Sequence, residues 1–178
     1  MFPITFHSRD FQASIPPPGR FTPLTCSWHA LGGPQRARIA VQDDPHALAC
    51  LPGWLGTPLV IHDPQGSPYW WGYLHGLAFR DGRLTHRLNL GELANRVAVL
   101  YTPMGETLPS LTAWAEDVAS QSVYGLRERI IKLGASDETR ALGICAASLA
   151  ARAYPQWRTG LAKANDPPGL LECRGWYG

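Results

Sequence analysis

Three of the six histidines, His62, His75 and His86, fall on successive apolar runs, and Asp63 stands beside the first. Imidazoles and a carboxylate brought to one point would hold a divalent metal. No HxH or HExxH spacing fixes them on one face, so convergence would depend wholly on strand register, and no metal is expected. Ser120, Ser122 and Ser148 lie in no GxSxG turn, and Cys145 falls inside an amphipathic stretch where a free thiol acts as a small core residue. The chain has neither GxxxxGK[ST] nor GxGxxG after a strand, so nothing is set to cradle phosphate. The acid pairs Asp43-Asp44 and Glu116-Asp117 precede helix-like segments, where carboxylates serve as caps and dipole partners before they serve as a hydrolytic pair. No enzymatic activity and no cofactor are expected. The run "YWWGY" is different: on a strand, Tyr69, Trp71 and Tyr73 share one face and Trp70 the other, a possible ligand platform for sugar or peptide.

These side chains must be placed by short elements, because 16 prolines and 18 glycines, spread without a repeat, cut the chain into pieces. The runs "LTCSWHAL", "RARIAV", "PLVIHD", "YWWGYLHGLAF", "RLTHRLNL" and "RVAVLYT" are rich in branched and aromatic residues and are separated by turn signals. They predict six strands by residue 102, in a small β-barrel or sandwich of short antiparallel strands. Pro64 and Gly66 mark one hairpin, and Asp81-Gly82 marks a second by supplying positive φ. Gly72 and Gly76 inside a strand signal a bulge or a close backbone approach. Asp44 as cap, Pro45, Leu48 and Leu51 predict one short helix between "RARIAV" and "PLVIHD".

The character changes after Tyr101. "AWAEDVASQSVYG" predicts two helical turns closed by Gly125 in the left-handed conformation, and "LRERIIKLG" a strand. The segment "SDETRALGICAASLAARAYP" is the strongest helix, with Ser136 as cap, Leu142, Cys145, Ala146, Leu149 and Ala153 on one stripe, and Pro155 as its stop. The expected fold is therefore mainly β with an α+β part. Residues 1–102 form a barrel-like domain, and residues 103–178 an α/β module with one amphipathic helix and the start of a further strand.

With 45% hydrophobic and 17% charged residues, the chain can bury enough apolar surface to fold. A net charge of +2 without long runs of one sign argues against sequence-specific nucleic-acid binding. No stretch approaches the eighteen apolar residues of a helical membrane span. The opening "MFPITFHSRDF" lacks the basic and apolar regions of a signal peptide, so Cys26, Cys50, Cys145 and Cys173 are expected to be reduced thiols.

One segment, "ASQSVYGLRERIIKLG" at residues 119–134, carries the most specific pattern: Ser120-x-x-x-Tyr124-Gly125-x-Arg127-Glu128. Preceded by "NRVAVLYT" and followed by a helix ending in "AYP", it resembles the tail-hub, or baseplate-hub, proteins of long-tailed bacteriophages. "WWGYLHGL" and "LNLGELANRVAVLY" are similar to that family's hairpin and its last first-barrel strand, and "LLECRGWYG" to the strand leading into a second barrel. The likeness covers residues 36–178. In such proteins a barrel comes first, an α/β module with this turn is inserted after it, and a second barrel follows. The motif would act as a structural clamp: Tyr124 burying its ring and anchoring its hydroxyl, Arg127 and Glu128 tying the turn to the barrel.

The resemblance implies a non-enzymatic virion component at the tail tip, assembled in the host cytoplasm and joined to tube, distal-tail and tip proteins. It would form a trimeric or hexameric ring whose lumen passes DNA without reading its sequence. It also implies that this chain is half of a hub, its closing strand left with an open edge and apolar surface near Trp176 and Tyr177. Two other classes compete. A carbohydrate- or cell-wall-binding β-module would present Tyr69, Trp71 and Tyr73 to solvent, and a small hydrolase would need His62, Asp63 and a serine or metal in one pocket.

Overall fold

The computed structural model describes residues 2–17, 19–42, 50–163 and 167–176. Strands take 49% of the chain and helices 17%, the mainly β composition expected from its turn-rich sequence. The chain forms two compact units, residues 1–91 with 157–178, and residues 92–156. The expected boundary at 102 therefore falls inside a strand of the second unit.

The first unit is one curled sheet. Its strands are β1 (Ile4–His7), β2 (Ser14–Ile15), β3 (Arg20–Trp28), β4 (Pro34–Gln42), β5 (Pro58–His62), β6 (Pro68–Asp81), β7 (Leu84–Asn89), and, after the second unit, β12 (Arg158–Leu161) and β13 (Gly169–Gly175). The order is β2-β1-β5-β6-β13-β4-β3, with β7 on β6 and β12 on β7. Alternation sets the core: Ala37, Ile39 and Val41 of β4, Leu59 and Ile61 of β5, Trp70 and Leu74 of β6, and Leu171 and Cys173 of β13 are buried. The curl brings β3 against β1 and β6, where Phe21 meets Phe6 at 5.5 Å and Trp28 meets Tyr69 at 4.7 Å.

The closing strand departs from the open edge expected of it. β13 pairs antiparallel with β4 on one edge and β6 on the other, Leu171 lying opposite both Ile39 and Leu77. A strand paired on both sides has no open edge. Tyr177 lies outside the described residues.

Glycine makes the close packing around β13 possible. A Cβ on Gly72 would overlap the Arg174 carbonyl, and one on Gly175 the Pro34 carbonyl. The β6–β13 register slips between Glu172 and Cys173, which leaves His75 as the extra residue of a bulge. The two hairpins form where the turn signals stand. Asp63 Oδ1 accepts from the Gln65 and Ser67 amides with Gly66 at φ 88°, and Gly82 alone, not Asp81, takes positive φ in the second turn. Leu51–Trp54 form a 3₁₀ turn, while the expected helical residues Asp44, Pro45 and Leu48, and Asp43 beside them, lie outside the described residues.

The second unit is a four-stranded mixed sheet: β8 (Arg96–Pro103), β9 (Ser110–Leu111), β10 (Ala115–Glu116) and β11 (Glu128–Ser136), with helices α1 (Val118–Tyr124) and α2 (Glu138–Arg152). β8 is central, antiparallel to β9 and β10 and parallel to β11. Ala94, Val97, Val99 and Tyr101 pack with Ala141 and Cys145 of α2, and Ile131, Leu133, Ile144 and Leu149 close the cluster. The cap of α2 is Asp137, whose carboxylate accepts from the Arg140 amide, and not Ser136, which is buried. Of its expected inward stripe, Cys145, Leu149 and Ala153 face the core, whereas Leu142 is 42% exposed and Ala146 is exposed, and Ala141 is buried in place of Leu142. The helix lies close enough for the Cys145 thiol to reach the Val97 carbonyl at 2.9 Å, which favours a methyl over an isobutyl group at that contact.

Candidate functional site

The motif residues gather around a side chain that the sequence pattern does not mark. Asn95, fully buried just before β8, donates from Nδ2 to the Gly125 carbonyl at 2.8 Å and to Ser120 Oγ at 3.3 Å, and accepts the Arg127 amide on Oδ1 at 2.7 Å. Its backbone joins in: its N–H donates to the Arg127 carbonyl at 3.0 Å, and its C=O accepts from the Asp117 amide at 2.9 Å. One carboxamide thus serves three polar groups of the turn from a fully buried position. The signal in the sequence is a single Asn directly before an apolar strand, and only the fold supplies its partners.

Ser120 extends the network. Its hydroxyl donates to the Ala153 carbonyl at the end of α2, and its amide donates to Asp117 Oδ1 at 2.8 Å, the N-cap bond of α1. This hydroxyl is fully buried and committed to a backbone carbonyl, an arrangement suited to holding structure and not to attack. Ser122 is likewise bonded to the Ala119 carbonyl at 2.7 Å. Glu116 and Asp117 act as an ion-pair partner and a cap.

Gly125 has φ 73° and ψ 171°. This is the extended positive-φ region open essentially only to glycine, in place of the left-handed helical conformation expected. Tyr124 is half-buried and meets Tyr154 edge-on at 6.4 Å, a shallower seat than a fully packed ring. Tyr154 in turn donates to Asp117 Oδ1 at 3.4 Å, and desolvation, followed by the nearby Asp117 charge, raises its phenol above the usual tyrosine range. Glu128 pairs with Arg96 at 3.0 Å, and Arg96 also meets Glu116 at 2.9 Å and lies 4.8 Å over the Trp114 ring. The ion pair of Glu128, expected to reach the barrel, lies within the second unit, between strands β8 and β11.

In the first unit, Tyr69, Trp71 and Tyr73 alternate with the buried Trp70 as expected, but they serve separate neighbourhoods. Tyr69 packs on Phe2 at 5.4 Å and on Trp28, beside a small hollow formed with Leu24 and Ile61. Trp71 is 42% exposed. Tyr73 lies 6.3 Å from Trp176, in a cleft of about 350 Å³ with Gln35, Arg36, Arg174 and Gly175.

The histidines are each engaged locally. His62 faces Thr5 Oγ1 at 3.2 Å and the Gly66 carbonyl at 3.1 Å, His75 packs on Tyr73, and His86 stacks on Phe79 and faces Thr159 Oγ1 at 2.9 Å. Among the described residues no cluster of His, Cys, Asp and Glu has the grouping of a metal site. No helix among them is long and apolar enough to cross a membrane.

No protein family, curated protein or solved structure matches this chain.

Proposed function

We propose that this chain is a non-enzymatic structural component of a bacteriophage tail tip, a hub that joins the tail tube to the tip, forms a ring with other copies or tail proteins, and lines part of the DNA conduit. The observation that supports this reading most is the clamp: of the residues whose pattern resembles the hub turn, Ser120, Gly125 and Arg127 meet at one polar junction with Asn95, and Glu128 pairs with the next residue, Arg96. Its groups are spent on backbone partners and ion pairs, which fits a module built to hold shape. Residues 92–156 lie along the chain between two segments of one curled sheet, as an inserted module would.

Electron microscopy of the purified protein, alone and mixed with tail-tube protein, tests the reading. Rings with a central hole, or decoration of tube ends, are the expected result. Dispersed single particles under both conditions, together with reproducible hydrolytic turnover lost on His62→Ala, would overturn it.

A further inference from the structure

The outer face of the curled sheet carries two arginines that repel each other. Arg36 of β4 and Arg174 of β13 are directly opposite in the antiparallel register, and Tyr73 of β6 is opposite Arg174 on the other side, so the three stand in one row across three strands. Like charges placed directly across a strand pair work against the sheet. The next row differs: there Arg38 is opposite Glu172, and opposite charges balance. Among the described residues neither Arg36 nor Arg174 forms an ion pair. The two guanidiniums thus leave an excess of positive charge facing a cleft walled by the Tyr73 and Trp176 rings and by Gln35. Trp176 is fixed on its far side by Phe11, edge-on at 4.9 Å.

We infer that this cleft binds a carboxylate-bearing sugar, its carboxylate held by Arg36 and Arg174 and its ring lying against Tyr73 and Trp176. A guanidinium presents paired N–H donors that match the two oxygens of a carboxylate, and an anion placed between two of them relieves their repulsion. The rings supply rigid apolar walls with polar rims, suited to the C–H face of a sugar. Their centroids lie 6.3 Å apart, with planes inclined by 30°. The cleft's volume of about 350 Å³ matches a small ligand. The inference does not rest on the tail-tip reading, because every residue involved belongs to the curled sheet and its ends.

Calorimetric titration of the full chain with glucuronate, glucose and inorganic phosphate tests it. Glucuronate should bind saturably in the millimolar range or tighter, with glucose and phosphate each at least about tenfold weaker. Arg36→Gln and Arg174→Gln, both at exposed positions, should each weaken glucuronate about tenfold without changing the melting temperature, and Arg174→Lys should weaken it less than Arg174→Gln. Absence of saturable glucuronate binding overturns the proposal, as does binding unchanged in the Arg36→Gln/Arg174→Gln double variant. Equal affinity for phosphate overturns the role of the rings, and equal affinity for glucose that of the arginines.

Discussion

Asn95 Nδ2 lies 2.8 Å from the carbonyl oxygen of Gly125, thirty residues further along the chain. That bond, with the 2.7 Å bond from the Arg127 amide to Asn95 Oδ1, joins the start of β8 to the turn that leads into β11. The parallel β8–β11 pairing begins one residue later at each strand, Glu128 opposite Arg96, so the carboxamide sits where the two strands come together.

Asn95→Ala should therefore be costly. It removes the partners of the Gly125 carbonyl and the Arg127 amide beside a fully buried position, and the expected loss is about 1 to 3 kcal/mol in urea unfolding. Asn95→Asp keeps the acceptor for Arg127 but sets a carboxylate oxygen against the Gly125 carbonyl, and it should also lose stability. If both variants unfold at the parental urea midpoint, the junction is not what holds the turn.

A second expectation concerns the first unit. Gly72→Ala sets a methyl against the Arg174 carbonyl and the Trp70 ring, so β13 cannot keep its place. Overpacking of this kind costs about 1 to 3 kcal/mol. Gly66→Ala, at an open turn with positive φ, should cost about 1 kcal/mol through backbone strain alone. Thermal melts of the two variants should therefore fall in that order, and the reverse order would show that β6 and β13 are further apart than described.

The alternation of β6 and the turn signals at Asp63 to Gly66 are local properties, and both were legible in residue types alone. The neighbours of β13 were not, because pairing with β4 and β6 joins residues ninety or more positions apart, and no short pattern records such a choice. The same limit hid Asn95, whose worth lies in partners contributed by later segments. The exchange at the start of α2 has another cause: ranking side chains by size favours Leu142 as the inward residue, whereas the small Ala141 takes that place in the core. Gly125 was legible as a positive-φ residue because Tyr-Gly ends a helical run, but its ψ is set by the bond to Asn95.

Thiol reactivity should sort by burial. Cys50 is exposed, Cys26 half-buried, and Cys145 and Cys173 buried. Burial raises the Cys26 thiol and raises that of Cys173 far more, so the thiolate of Cys173 is scarce in the fold. A disulfide-exchange reagent near neutral pH should modify Cys50 first and Cys26 slowly, and reach the other two only on unfolding. A folded-state value above the unfolded one means that stability is whole below the ordinary cysteine range, about pH 8.5, and is lost as pH rises toward the folded value. Melting temperature should therefore decline in alkali, and Cys173→Ala should lessen the decline. Prompt labelling of Cys173 in the native protein would contradict its place between β4 and β6.

The sharpest test of the hub-like turn compares two glycines with the same open surroundings. Neither Gly125 nor Gly143 would bring an added Cβ within 4 Å of another group, so steric crowding is absent at both. They differ in backbone. Gly125 holds φ 73° and ψ 171°, where an L side chain is strained by about 1 to 3 kcal/mol. Gly143 lies inside α2 with ordinary helical geometry, where alanine is favoured over glycine by about 0.5 to 1 kcal/mol because less backbone freedom is lost on folding. The same substitution should thus act with opposite sign: Gly125→Ala lowers the unfolding midpoint and Gly143→Ala raises it. Gly125→Val should cost more than Gly125→Ala, since a branched side chain resists positive φ further. A neutral Gly125→Ala beside a stabilising Gly143→Ala would mean that the turn adopts a conformation open to any residue, and the bond from Asn95 to the Gly125 carbonyl would then need a different geometry.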